Sequence, residues 1–133
     1  MGDRANVFVR HWYRKDDPNL GVYLYSHWGG SVLPHVVWSA LDRQERWNDG
    51  SYLTRIIFEE MIDGASDKTT GYGISCRIGD NEHSIIVVDC NEQTIGFAKP
   101  GEEPECYWQV PFAEYIHWTR EEIDNKYFRR EGV

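Results

Sequence analysis

The chain is short of the features that commit a sequence to a known chemistry. Its three cysteines, Cys76, Cys90 and Cys106, are odd in number, widely spaced and without a Cys-x-x-Cys pair, which speaks against a disulfide framework or a structural zinc knuckle. Long hydrophobic runs are missing too. The longest wholly aliphatic one, Ile85 to Val88, is far too short to span a bilayer. Met1-Gly2-Asp3-Arg4 lacks the apolar core of a signal peptide, and Asn6 stands where a myristoylation pattern needs Ser or Thr. A cytoplasmic protein with no membrane partner is the expectation. Positive charge is scarce: 14 Lys and Arg face 22 Asp and Glu, for a net charge of -8, and phosphate-backbone binding calls for the opposite balance. The small basic cluster Lys126, Arg129 and Arg130 does not outweigh it, so no direct nucleic-acid contact is expected. There is no internal repeat, no Gly-x-Ser-x-Gly elbow, no His-Glu-x-x-His, no calcium-loop spacing and no phosphate-loop fingerprint. No catalytic residue, metal or cofactor is therefore assigned.

What is present is enough for one core. The 133 residues, 41% of them hydrophobic, suit a single domain over residues 1–133 with Arg129 to Val133 frayed. Six Trp and eight Tyr exceed what a minimal core needs, which places some rings at a pocket or an interface.

Ala5 to Tyr13 alternates, with Ala5, Val7 and Val9 on one face and Asn6, Phe8, Arg10 and Trp12 on the other. Arg14 to Asn19 supplies turn chemistry, and Gly21 to Trp28 resumes the alternation, so the two runs form a hairpin. Ser31 as N-cap and Pro34 in the first turn open a helix to about Arg46, with Leu33, Val37, Ala40 and Leu41 buried. A second helix runs from Tyr52 to Ile62, capped by Asp49 or Ser51, with Leu53, Ile56, Ile57 and Met61 as its stripe. Asp63 to Gly71 reads as a loop. Three runs follow, Tyr72 to Arg77, Ser84 to Asp89 and Thr94 to Ala98, separated by turn-like Gly79-Asp80-Asn81 and Cys90-Asn91-Glu92. They are expected to form a three-stranded meander with the doubly apolar Ile85-Ile86-Val87-Val88 at its centre and Cys76 as a buried thiol. Lys99 to Glu105 reads as a surface loop, Pro111 as the start of a short helix, and Thr119-Arg120-Glu121-Glu122 as the capping box of a last one. The fold class is α+β: a mostly antiparallel sheet, hairpin plus meander, with two central helices and a C-terminal helix packed on it.

The most informative stretch is Tyr25-Ser26-His27-Trp28-Gly29-Gly30-Ser31, where a strand gives way to a helix through paired glycines. Glycine amides and a helix start can hold an anion while Trp28 stacks on a ring and His27 donates a hydrogen bond. Antiparallel pairing brings Arg4 and Asn6 beside His27 and Trp28, which supplies a cation. Arg4, Asn6, His27, Trp28, Gly29 and Gly30, with help from Arg55 and Tyr72, are the candidate ligand-binding residues. Each has a plainer reading: the glycines make a turn, Asp3 and Arg4 clamp the sheet end, Arg55 pairs with Glu59 at i+4, and the glycines flanking Tyr72 mark close packing. The cluster Asp80, Asn81, Glu82, His83 and Asp89 looks first like a turn and only secondarily like a metal or acid-base site.

Gly2-Asp3-Arg4-Ala5-Asn6, Tyr25 to Gly30, Arg46-Trp47-Asn48-Asp49 with Tyr52 to Phe58, and Gly71-Tyr72-Gly73-Ile74-Ser75 together resemble a group of small bacterial and phage hypothetical proteins, over most of residues 2–89. The resemblance lends no activity and no catalytic residues. It implies a bacterial or phage setting, in which small acidic proteins serve as accessory or anti-defence factors that bind a nucleotide signal or block a host enzyme. The leading expectation is a non-enzymatic binding module for a small anionic, nucleotide-like ligand. The alternatives are an acidic protein-interaction or inhibitor module for a basic host protein, and a small hydrolase or transferase using His27 or His83. A homo-oligomer is compatible with all three.

Overall fold

A computed structural model describes residues 2–11, 20–63, 70–101 and 104–128. Strands β1 (Ala5–Arg10) and β2 (Gly21–Ser26) form the expected hairpin, with Ala5 opposite Ser26 and Arg10 opposite Gly21. The turn anticipated at Arg14 to Asn19 lies outside the described residues, as do Trp12, Tyr13 and Arg129 to Val133. Then come α1 (Leu33–Asp42), α2 (Gly50–Met61), β3 (Tyr72–Ser75), β4 (Ile85–Asp89), β5 (Thr94–Ala98), β6 (Cys106–Pro111), α3 (Phe112–Tyr115) and α4 (Arg120–Tyr127). Among the described residues, no helix is long and apolar enough to cross a membrane.

The protein is α+β, with a six-stranded, mostly antiparallel sheet in the order β3-β2-β1-β4-β5-β6. The meander does not form as expected. β3 pairs with β2 on the outer side of the hairpin, and β4 lies parallel to β1, with Val7 opposite Ile86. Only β4 and β5 keep the expected neighbour relation, joined through Asp89, which accepts from the amides of Asn91 and Glu92. The physical reason is the segment 76–84. Its Gly79-Asp80-Asn81 is not a hairpin turn but part of a strap that leaves β3, passes β2 and β1 on one face of the sheet, and enters β4 beyond them. Ile78 packs against the cluster formed by Phe8, Tyr23, Ile85, Val87 and Ala98 as the strap crosses. Cys76, expected within a strand, is exposed because β3 stops at Ser75.

The sixth strand is a further departure from expectation. Phe97 lies opposite Trp108 but Ala98 lies opposite Cys106, so a bulge inserts Tyr107 and breaks the alternation that marks a strand. Gly96 permits the close approach, since a Cβ there would stand 2.4 Å from the Trp108 carbonyl.

All four helices contribute to the core on the other face, which gathers Ala5, Val7, Val9, Leu24, Ile86, Val88, Ile95 and Phe97 from the strands. The expected stripes are buried as read: Leu33, Val37, Ala40 and Leu41 on α1, and Leu53, Ile56, Ile57 and Met61 on α2. α1 ends before Arg46 because Gln44 and Arg46 adopt positive φ, and the Arg46 guanidinium lies over the Tyr52 ring. α2 is capped by Asp49, and α4 carries the full Thr119–Glu122 capping box. β1 and β4, buried on both faces, sit at the middle of the sheet.

Candidate functional site

The junction after β2 is built around a carboxylate from the same chain. Asp3 N–H donates to the His27 carbonyl at 2.8 Å, one residue out of the hairpin register that pairs Ala5 with Ser26. Gly30 N–H donates to the Asp3 carbonyl at 2.7 Å, and Ser31 N–H to the Asp3 carboxylate at 2.8 Å. Gly29 N–H is taken by the Ser26 hydroxyl at 3.0 Å. The helix start does hold an anion, as the glycine pattern suggested, and that anion is Asp3. Ser31 consequently acts as a backbone donor rather than as the expected N-cap, and Gly30–Val32 forms a 3-10 turn ahead of α1. These amides are occupied, so Gly29 and Gly30 offer no cradle to an external phosphate.

His83 Nε2 lies 2.5 Å from the other Asp3 oxygen, and its ring stacks on Tyr127. Burial would raise the Asp3 pKa, but the Ser31 and His83 hydrogen bonds outweigh it and hold the carboxyl below its usual range. The sign follows from linkage. A carboxyl with a lowered folded pKa adds stability above its unfolded pKa and loses it as pH falls through the folded value. Acid titration followed by carboxyl NMR should therefore show Asp3 protonating below the ordinary Asp value of about 3.9, with the junction loosening over that interval. A midpoint at or above that value would contradict this geometry.

Beside the junction, the strap is pinned to the open face. Asn6 is fully buried, and its Nδ2 donates to Asp80 O and Asn81 Oδ1, both at 3.1 Å, while its Oδ1 accepts from Gly79 N at 3.1 Å. Arg4 and Glu82 exchange backbone-linked bonds, Glu82 N to Arg4 O and Arg4 N to Glu82 Oε1. The Arg4 guanidinium faces Asp80 at 3.5 Å and Glu82 at 3.7 Å. Both pairs are solvent-exposed and contribute on the order of a few tenths of a kcal/mol each.

The expected residues divide accordingly. Arg4, Asn6 and His27 gather around Tyr25: Asn6 is its cross-strand partner, and the Tyr25 hydroxyl lies 2.8 Å from His27 Nδ1. Burial pushes the Tyr25 phenol up, so it stays protonated at neutral pH and can donate to that nitrogen. Trp28 is 56% exposed, edge-on to His27, with its indole against Gly71, where a Cβ would come within 2.4 Å of the ring. Tyr72 pairs with Ser26 and packs on the helix-side core, away from that group. Arg55 points outward from α2 and pairs with Glu59 at 3.6 Å, the plainer of its two readings.

Sequence reasoning passed over the cleft itself. Between the strap and the outer strands lies a space of about 400 Å³, lined by Asn6, Tyr23, Tyr25, Gly73, Arg77 and Asp80 among others. A Cβ at Gly73 would meet nothing within 4 Å. The guanidinium of Arg77 pairs with no carboxylate among the described residues. The signal was in the hairpin: its open-face positions 23 and 25 are both tyrosine, while the opposite positions are Val22 and Leu24.

Among the described residues no group of three His, Cys, Asp or Glu is arranged to hold a metal ion. Burial pushes the Cys90 thiol up to about 12 and the Cys106 thiol to about 11, so neither is a nucleophile at neutral pH. Comparison with known protein families, with curated proteins and with solved structures returns no match for the chain.

Proposed function

We propose that the protein is a binding module for a small anionic ligand with a flat ring, nucleotide-like in kind, and that the ligand enters the cleft beneath the strap. One observation carries the reading. In an otherwise acidic chain, a cleft of about 400 Å³ combines tyrosine side chains with a guanidinium that has no carboxylate partner among the described residues. The volume suits a ligand of nucleotide size. Tyr25 offers a ring face, Gly73 leaves room beside it, and Arg77 answers the negative charge. Arg4 is held by Asp80 and Glu82 and would steer the ligand rather than clamp it. A nucleotide signal in a bacterial or phage setting fits this chemistry.

The test is a panel of mono-, cyclic and dinucleotides in thermal melting. A ligand at a hundredfold excess over its Kd should stabilise the fold by about 2.7 kcal/mol. Gly73→Val should abolish the shift while leaving the melting temperature of the free protein unchanged or higher, because the added side chain enters open space. Arg77→Ala should remove the preference for phosphate over the bare nucleoside. A shift that survives Gly73→Val would remove the cleft from consideration, and no shift with any nucleotide would sink the proposal.

A second reading rests on β3. Its outer edge is unpaired in the described sheet, and Ile74 is 60% exposed there, as a strand-adding protein partner would require. Burial of Ile74 in a complex is what this reading demands.

A further inference from the structure

On the opposite side of the sheet, α1 packs against α4, and a smaller cavity of about 250 Å³ opens where they meet the turn after α3. His35, Trp38, Ser39, Trp118, Arg120 and Ile123 line it. Three features of this lining bear on what the cavity can hold. The Trp38 indole nitrogen is buried without any hydrogen-bond partner among the described residues. A stranded donor of that kind costs about 1–3 kcal/mol, which a native structure normally avoids by finding an acceptor. Arg120 pairs with no carboxylate among the described residues, although Glu121 and Glu122 are its neighbours in sequence. It is also the first residue of α4, where the helix dipole disfavours a cation and favours an anion. Finally, two indoles border one small space: both also pack on the core, Trp118 edge-on to Trp108, and the Trp118 N–H goes to Glu114 Oε2 at 3.3 Å.

His35 fixes one wall. Its Nε2 lies 2.6 Å from Asp124 Oδ1, so the imidazole ties α1 to α4. Ser39 donates its hydroxyl to the His35 carbonyl and keeps its lone pairs for another donor.

The geometry points to a second binding site, for an aryl carboxylate of one or two rings, with the carboxylate on Arg120 and the Trp38 N–H and the ring against the Trp38 and Trp118 indoles. A guanidinium and an indole N–H supply the donors that a carboxylate needs, and the indole faces supply apolar area for a ring. The volume lies below that of drug-sized pockets, which limits the ligand to this size. This site shares no residue with the cleft beneath the strap, so the two stand or fall separately.

The probe is indole-3-acetate, with neutral indole as the control, followed by the indole N–H resonances in proton–nitrogen NMR and assigned through Trp38→Phe. Titration to about 10 mM, enough to detect binding as weak as millimolar, should move the Trp38 resonance downfield as it gains an acceptor. Indole should shift it less. Arg120→Gln, at an exposed position, should weaken the carboxylate at least about tenfold, the loss of one charge-assisted contact, and leave indole unaffected. A Trp38 resonance that stays in place overturns the proposal. Equal binding of indole and indole-3-acetate, or a carboxylate affinity unchanged in Arg120→Gln, overturns the anion assignment and with it the site as described.

Discussion

Asn6→Ala should lower the unfolding free energy by about 2–4 kcal/mol, among the largest effects open to a polar residue. The side chain is fully buried, and the strap depends on it at both ends of its amide. Truncation leaves the Gly79 N–H and the Asp80 carbonyl without their partner and removes the only side chain of β1 that grips residues 79–81. Asn6→Asp separates hydrogen bonding from size. It keeps the acceptor for Gly79 N–H but turns a carboxylate towards the carbonyl oxygens of Gly79 and Asp80, so it should cost at least as much as the alanine. Urea unfolding gives the magnitude, and hydrogen exchange gives the location. The amides of Gly79 and Glu82 should lose protection first, ahead of those in β1 and β4. If both variants unfold at the wild-type midpoint, or if the strap amides stay protected, the pinning role assigned to Asn6 is wrong.

Gly30→Ala is expected to be at least as damaging, by about 3 kcal/mol or more. A Cβ at this position would stand 2.6 Å from the Asp3 carbonyl oxygen and 2.8 Å from His83 Cδ2. The backbone has no freedom to move away. Its N–H is bonded to Asp3 and its C=O accepts from the Tyr127 hydroxyl at 2.7 Å, so displacement in either direction breaks a buried bond. Gly29→Ala is the informative partner, because a Cβ there meets only the Ser26 hydroxyl at 3.0 Å and a Val32 methyl at 4.0 Å. Thermal melting should rank the two glycines widely apart. Similar melting temperatures for both variants would contradict the packing at Gly30.

That asymmetry shows what the sequence could and could not convey. Periodicity carried the hairpin, both central helices and the burial of Ile85 to Val88, because each is a local pattern, whereas the hairpin register rests on which residues face each other and was not legible. The Thr119–Glu122 box was legible for the same reason: its signal is complete within four residues. The partner of a strand is not local information. Gly79-Asp80-Asn81 has the composition of a hairpin turn, and the same residues serve equally well in a strap when a buried Asn6 meets their backbone. β6 was hidden by its own bulge, which shifts Tyr107 out of the alternation. In the candidate site, the sequence brought Arg4, Asn6 and His27 together correctly and left open whether they serve a ligand or the fold. The anion at the glycine junction comes from Asp3, three residues from Asn6 along the chain, and no spacing rule distinguishes that carboxylate from a bound one.

The parallel pairing of β1 with β4 also sets an order of events. Val7 is made early and Ile86 late, so at a synthesis rate of about 5–20 residues per second the first strand waits roughly 4–16 s for its neighbour. During that interval the inner edge of the hairpin, rich in valine and destined for the middle of the sheet, has no strand beside it. Closure then joins chain segments far apart in sequence, an arrangement that slows folding relative to a meander of the same size. The nascent chain is thus most prone to pair with a foreign strand just before β4 emerges, and the strap that delivers β4 is the segment that ends the exposure.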